Sequence, residues 1–320
     1  MKKILAIILV LGAASNVLYG QFDAQLSQYM FNAAAFNPAA VGESGMLDVS
    51  GHHRIHWLGM PKGGHTTVFN INSPFRLGER RHGVGLNFQN DRIGLFVNQG
   101  VHLQNAFRFK IGDGTLNFGT QLGFLSVGFQ GDSARGPKVS IGDYHDISGD
   151  PAIPKTAVEG FGFDAGAGVW FTQGNFYSGL SITHLNQPVI MWSEEHEFRP
   201  ASTMYLTGGY QYGLNNPKLV LAPSLLAKTD FNSLQLDLSA IMHYDKQYWG
   251  GLTFRYGDAI VILAGIHIMN GLSLGYAFDL PISRMITASW GSHELVLSYN
   301  VEVNAGGGGR RKNYKSIRIL

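Results

Sequence analysis

The sequence predicts an all-β fold: a transmembrane antiparallel β-barrel of about 14 strands, with long extracellular loops and short periplasmic turns. Three observations lead there. The dominant hydrophobic period is two, the polar phase of that period is small and weakly charged, and the connections alternate in length.

The period starts at the first strand. Leu47, Val49, His53, Ile55 and Trp57 alternate with Asp48, Ser50, His52, Arg54 and His56. Further on, Val101, Leu103, Phe107, Phe109 and Ile111 alternate with His102, Gln104, Ala106, Arg108 and Lys110. Similar runs cover 65–73, 84–88, 116–124, 161–171, 176–182, 204–212, 219–227, 234–244, 248–256, 260–268, 272–280 and 295–301. Side chains of a strand alternate between faces, so each run presents one apolar face and one small or polar face. The total is about fourteen, an even number as bacterial barrels require.

A soluble sandwich also alternates, but its outer face carries Lys and Glu. Here the polar positions are unusually rich in Gly, Ser, Asn, Gln and Thr and poor in Lys and Glu, which suits a crowded or wet lumen better than a solvated exterior. Loop lengths point the same way. The segments 58–63, 130–160, 186–201 and 281–292 fall at alternate connections, and the tight turns 112–114, 173–175, 245–247 and 270–271 fall between them. Long loops on one rim and short turns on the other is the transmembrane asymmetry. The connection 73–81 is a moderate exception, and a short turn at Asp258 lies on the long-loop rim. The strand count places both termini in the periplasm.

Composition agrees. Of 320 residues 45% are hydrophobic and only 14% charged, where a soluble domain carries nearer a quarter charged. Gly (42), Tyr (13) and Phe (20) are abundant, as turns, inward positions and interfacial girdles require. The absence of Cys excludes disulfides and thiolate metal sites. A net charge of +2 is too small to imply a nucleic-acid partner.

Residues 1–20 read as a signal peptide. Lys2 and Lys3 precede an apolar run from Ile4 to Ala14, and a small residue, Gly20, closes a more polar stretch. The apolar run is about eleven residues, short of the ~20 a spanning helix needs. Residues 46–303 form the barrel, leaving an N-terminal segment, 21–45, and a C-terminal tail, 304–320. The first lacks the two-residue period and holds Phe22, Tyr29, Met30, Phe31 and Phe36, too many large apolar residues for a solvated tail. It is expected to fold against the lumen or the periplasmic mouth, with a turn at Asn37-Pro38. The second has a Gly306–Gly309 hinge, then Arg310, Arg311, Lys312, Lys315 and Arg318 interleaved with Tyr314, Ile317, Ile319 and Leu320. A basic run with an apolar end suits docking to a periplasmic protein.

These end segments carry a resemblance. SQYMFN at Ser27–Asn32 and FNPAAVG at Phe36–Gly42 resemble the mature N-terminus of the PorP/SprF family. GSHELVLSYN at Gly291–Asn300 and NYKSIRIL at Asn313–Leu320 resemble its last strand and tail, and DRIG at Asp91–Gly94 after GVGL at Gly83–Leu86 is similar to its spacing. One departure is Ala40, where family members more often carry an aromatic. The resemblance implies an outer-membrane component of the type IX secretion system, linked to gliding motility. It would secrete or anchor cargo proteins, reading their C-terminal sorting domains, and couple to periplasmic components of the system. The partner-binding residues expected on this basis are Ser27, Gln28, Tyr29, Asn37 and Pro38, with Arg310, Arg311, Lys312, Tyr314, Lys315, Ser316 and Arg318. Outer-membrane lipid is the other expected partner.

Other chemistry has weak support. His52 and His56 share a face but lie about 13 Å apart at strand rise, too far for one ion, and His53 points away. Asp143, His145, Asp146 and Asp150 form a loop cluster without EF-hand spacing, and Glu194, Glu195 and Glu197 another; solvated carboxylates are the plainer reading of both. GFGFDAGAG at Gly160–Gly168 lies within a strand, so it is no dinucleotide fingerprint. His293-Glu294 lacks a second His four positions on, and no nucleophile elbow or phosphate-loop Lys is present. No cofactor, metal or catalytic residue is expected. The alternative to protein handling is a passive small-solute porin. A porin needs inward charges ringing a constriction, and Arg54, Arg108, Lys110, Asp237 and Arg255 are expected to be few and scattered. An outer-membrane lipase would need a Ser-His pair near the lipid-facing wall, and none is found.

Overall fold

A computed structural model describes residues 22–78, 80–133, 154–269 and 271–302. Seventeen strands follow in chain order: β1 (Leu47–Ile55), β2 (His65–Leu77), β3 (Arg80–Ile93), β4 (Phe96–Ile111), β5 (Gly114–Gln130), β6 (Ala157–Gln173), β7 (Phe176–Thr183), β8 (Ile190–Met191), β9 (Glu197–Phe198), β10 (Thr203–Tyr210), β11 (Tyr212–Gly213), β12 (Leu219–Thr229), β13 (Leu234–Tyr244), β14 (Tyr248–Arg255), β15 (Ala259–Met269), β16 (Leu272–Pro281) and β17 (Ser292–Val301). Each main-sheet strand pairs antiparallel with its neighbours, and β1 pairs with β17 from Leu47↔Val301 to Ile55↔His293, which closes the wall. The two-residue β11 continues β10 beyond Gln211, so the closed barrel has fourteen staves, as the alternation predicts.

Sidedness inverts that of a soluble protein. Along β17, Glu294, Val296, Ser298 and Asn300 are buried, while Leu295, Leu297 and Tyr299 are exposed. Along β4, Asn98, His102 and Gln104 face inward and Val101, Leu103 and Phe107 outward. Apolar side chains left outside and polar ones enclosed are what a wall between lipid and a hydrated or filled lumen requires. No helix among the described residues is long and apolar enough to cross a membrane.

The strands run further than the periodicity marks. The exception expected at 73–81 disappears, because β2 continues to Leu77 and β3 begins at Arg80. Pro74 is the residue that hides this. It lies past Asn72, the last β2 residue paired with β1, so its missing N–H leaves no ladder bond to β1 unmade. The loop after β7 holds the small β8–β9 hairpin, with Ile190↔Phe198 and Met191↔Glu197 paired.

Residues 22–46 lie in the lumen. Three short 3-10 turns, Tyr29–Phe31, Ala33–Ala35 and Pro38–Ala40, replace any longer helix. At the third, Asn37 accepts a hydrogen bond from the Ala39 N–H (2.9 Å), and Pro38 takes the first position, where its missing N–H costs nothing. The segment crosses the lumen from rim to rim. Phe22 packs on His184 and Phe198 at the long-loop rim, and Gly42 bonds to Asn72 near the short-turn rim, where β1 begins. The first strand starts and the last strand ends at that short-turn rim, but Phe22 sits at the opposite one.

Candidate functional site

The lumen segment, hereafter the plug, is fixed at four levels. At the long-loop rim Asp23 is the anchor. Its carboxylate accepts from Thr183 Oγ1 (2.7 Å) and Tyr205 Oη (2.6 Å) and pairs with His184 Nε2 (2.7 Å). The other ring nitrogen of His184 faces Asp164 (2.9 Å), which also takes His102 Nε2 (2.8 Å). Burial opposes the charge on Asp23, but His184 and Lys228 outweigh it and hold the carboxyl well below the usual carboxylate range. Burial likewise opposes the imidazolium, yet Asp23 and Asp164 push His184 up to about 10.

The second level centres on Ser27. Its N–H and that of Gln28 donate to the Glu294 carboxylate at 2.7 and 3.0 Å. Its hydroxyl donates to Asp279 (2.8 Å) and accepts from Arg54 Nη1 (2.7 Å) and Arg255 Nη2 (3.1 Å). Both guanidiniums reach Asp279, at 2.8 and 2.6 Å, and Arg255 also pairs with Asp237 (3.1 Å). All five charged groups are buried, so each depends on its partners for the solvation it has lost.

Arg54, Asp237 and Arg255 are therefore not scattered, as expected from sequence, but gathered. Barrel closure does this: Arg54 pairs with Glu294 across β1–β17, and Asp237 with Arg255 across β13–β14. Arg108 reaches the Gly42 carbonyl (2.9 Å) instead, and Lys110 is exposed.

At the third level Tyr29 Oη contacts Ser224 and Ser239 at 3.1 and 3.0 Å. Phe31 packs on Trp249, and Phe36 stacks on Tyr205 at 5.2 Å. The fourth level holds backbone. Gln104 Nε2 donates to the Ala34 carbonyl (2.8 Å), Asn117 Nδ2 to Ala39 (3.1 Å) and Asn37 Nδ2 to Val169 (3.1 Å), while Asn72 accepts from the Gly42 N–H (2.9 Å). Wall glycines make room. A Cβ on Gly119 would fall 2.2 Å from the Ala39 nitrogen, and one on Gly83 2.0 Å from the Val41 oxygen.

Ser27, Gln28, Tyr29, Asn37 and Pro38 thus stand buried together in the plug, and the side-chain hydrogen bonds of the four polar ones run to the barrel wall or, for Asn37, also to the plug's own backbone. Arg310, Arg311, Lys312, Tyr314, Lys315, Ser316 and Arg318 lie outside the described residues, as do Asp143, His145, Asp146 and Asp150. His52 and His56 are separately engaged, by Glu294 (3.4 Å) and Thr66 (2.7 Å). Among the described residues no group of His, Cys, Asp or Glu is placed to hold a metal. Sequence reading missed Asp23, Asp164, His184, Asp279 and the role of Glu294. The available signal was a carboxylate on the lumen-facing phase, as at Asp164, Asp279 and Glu294.

The plugged barrel, with a lumen segment bearing the SQYMFN and FNPAAV runs, matches one family model over residues 19–299, that of the type IX secretion system membrane protein PorP/SprF. The chain belongs to the PorP/SprF family. As a family member with a closed antiparallel wall, it is an outer-membrane β-barrel of the type IX secretion system. No curated protein matches the sequence. Solved barrels are similar at low identity. The Ralstonia pickettii toluene transporter TbuX shares 14% identity over 90% of this chain and 96% of its own, with a TM-score of 0.44. The Acinetobacter baumannii outer membrane protein Omp33 shares 8% over 81% and 99%, at 0.45. A Pseudomonas aeruginosa FadL homologue shares 10% over 84% and 94%, at 0.47.

Proposed function

We propose that this PorP/SprF barrel handles protein cargo at the outer membrane, secreting or anchoring cargo proteins at the surface and coupling to periplasmic components of the secretion and gliding machinery. The observation that carries the reading is the pinned plug: with Ser27 held by Glu294, Asp279, Arg54 and Arg255, the lumen is filled by the chain itself. A filled lumen suits a barrel that works through its rims. In this reading the long-loop rim faces outward and meets cargo sorting domains. The short-turn rim faces the periplasm, and the tail from Arg310 to Leu320 continues from it to reach the machinery. No catalytic step is assigned to any residue.

The test is a pull-down from solubilised outer membrane, comparing the full chain with a deletion of Tyr314–Leu320, alongside cargo secretion. The deletion is expected to abolish both partner recovery and secretion while leaving a heat-modifiable barrel in the membrane. Normal secretion by the deletion would sink the coupling role of the tail.

A further inference from the structure

The plug does not fill the lumen evenly, and the space it leaves is divided by a few side chains. Three cavities lie between it and the wall. One lies toward the short-turn rim and is lined by Tyr29, Phe36, Trp170, Tyr177, Tyr210 and His243 among others. A second lies further up and includes Leu26, Gln25, Lys228 and Gln235. A third lies toward the long-loop rim and is polar on its β3–β5 wall, with Asn87, Asn98, His102 and Gln121.

Neighbouring cavities share walls. Tyr29 and Phe36 line both the first and the second, and Ala35, Gln89 and Tyr205 line both the second and the third. The partitions are thus a few side chains, and two of them touch: the rings of Phe36 and Tyr205 stack at 5.2 Å with 22° between planes. Tyr205 is in turn held by the Asp23 carboxylate through its hydroxyl (2.6 Å). Nearer the short-turn rim of β3–β5 the plug is close-packed: Val41 is fully buried against Ala34 and Ala106, and a Cβ on Gly83 or Gly119 would meet plug backbone.

Each end of the string also has polar atoms that a passing solute could engage. Trp170 Nε1 and His243 Nδ1 at one end, and Asn87 Nδ2 and Asn98 Oδ1 at the other, are buried without a hydrogen-bond partner among the described residues. Such groups are costly unless something bonds to them.

We propose that these cavities form a closed path for small solutes from the β6–β7–β10–β12–β13 side of the lumen at the short-turn rim to the β3–β4–β5 side at the long-loop rim, shut by the Phe36–Tyr205 stack and Tyr29. This activity is separate from cargo handling and does not rest on it. The path is closed at rest and opens when the aromatic partitions move, without expulsion of the plug.

The test is single-channel recording in planar bilayers, with potassium chloride as the probe, on full-length barrels that remain heat-modifiable. The parent and Val41→Ala are expected to be silent. Phe36→Ala combined with Tyr205→Ala is expected to pass steady current, and Tyr205→Phe, which keeps the ring, to stay silent. Phe36→Ala alone carries the same test if the double variant does not fold. A folded but silent gate variant overturns the path, and so does current of equal size in Val41→Ala, which would mean that any loosening of the plug leaks. Steady current in the parent overturns the gate.

Discussion

Asp23 and His184 meet at 2.7 Å, Oδ1 to Nε2, although 161 residues separate them. His184 takes a left-handed backbone conformation there (φ 50°), one that His tolerates better than most residues. Its Nδ1 faces Asp164, so both ring nitrogens have a carboxylate to bond and the ring is held charged. One end of the plug is therefore fastened by an ion pair just beyond the end of β7.

That pair gives the plug a pH dependence of fixed sign. His184 has a folded value of about 10 against an ordinary 6.5, so its contribution is full below 6.5 and is lost as pH rises through about 10. Asp23 is depressed from 3.8, so its contribution is present above 3.8 and is lost only in stronger acid. The thermal midpoint of the detergent-solubilised barrel is expected to decline on the alkaline side, and His184→Gln to flatten that decline. An alkaline decline unchanged by His184→Gln would show that the imidazolium does not fasten the plug.

The Ser27 cluster predicts a difference between removing a charge and removing a hydroxyl. Asp279→Asn leaves Arg54 and Arg255 facing each other without their shared carboxylate. Breaking a buried pair in this way costs on the order of 3–5 kcal/mol. Ser27→Ala removes only the hydroxyl between them, a loss of about 1–3 kcal/mol. Urea unfolding followed by tryptophan fluorescence is expected to rank Asp279→Asn well below Ser27→Ala. Equal midpoints would mean that the cluster is solvated.

How much of this the sequence discloses depends on distance along the chain. Leu295, Leu297 and Tyr299 against Glu294, Val296 and Ser298 is a local pattern, and the barrel and its strand count follow from such runs. Pro74 interrupts the local pattern, so the alternation ends before the strand does, and β2 runs on to Leu77. The ion cluster is different in kind. Arg54, Asp237, Arg255, Asp279 and Glu294 lie on five strands, and only closure and register bring them together. The aromatic content of 22–45 marked it as unsuited to solvent, but its course depends on Asp23, an unexceptional residue until His184 is placed beside it.

Glycine on the lumen face predicts a position-dependent cost. Gly119 lies against the Ala39 backbone, so the methyl of Gly119→Ala must displace either the plug or the wall, whereas Gly51, on β1, has nothing within 4 Å of its added Cβ. Gly119→Ala is expected to lower the unfolding free energy by about 1–3 kcal/mol, the cost of overpacking a fitted core, and the urea midpoint with it. Gly51→Ala is expected to leave it unchanged. If both behave alike, the lumen glycines serve the strand and not the plug.

Trp192 predicts how the long-loop mouth is covered. It stacks on Phe198 at 5.6 Å and on Phe129 at 5.8 Å, and its Nε1 donates to the Val127 carbonyl (2.7 Å), joining the β8–β9 hairpin to the barrel. Phe22, the first described residue of the plug, packs against Phe198 of the same hairpin. Trp192→Ala removes both stacks and the hydrogen bond while leaving the barrel ladder intact, so it is expected to loosen the hairpin without unfolding the wall. Glu194 and Glu195 at the hairpin tip are exposed, which makes a glutamate-specific protease the reporter. Cleavage there is expected to be faster in Trp192→Ala than in the parent, with Trp192→Phe between them because it keeps a ring but loses the donor. Cleavage at the parent rate in Trp192→Ala would show that the hairpin is held by its own two-residue ladder or by Ile190 instead.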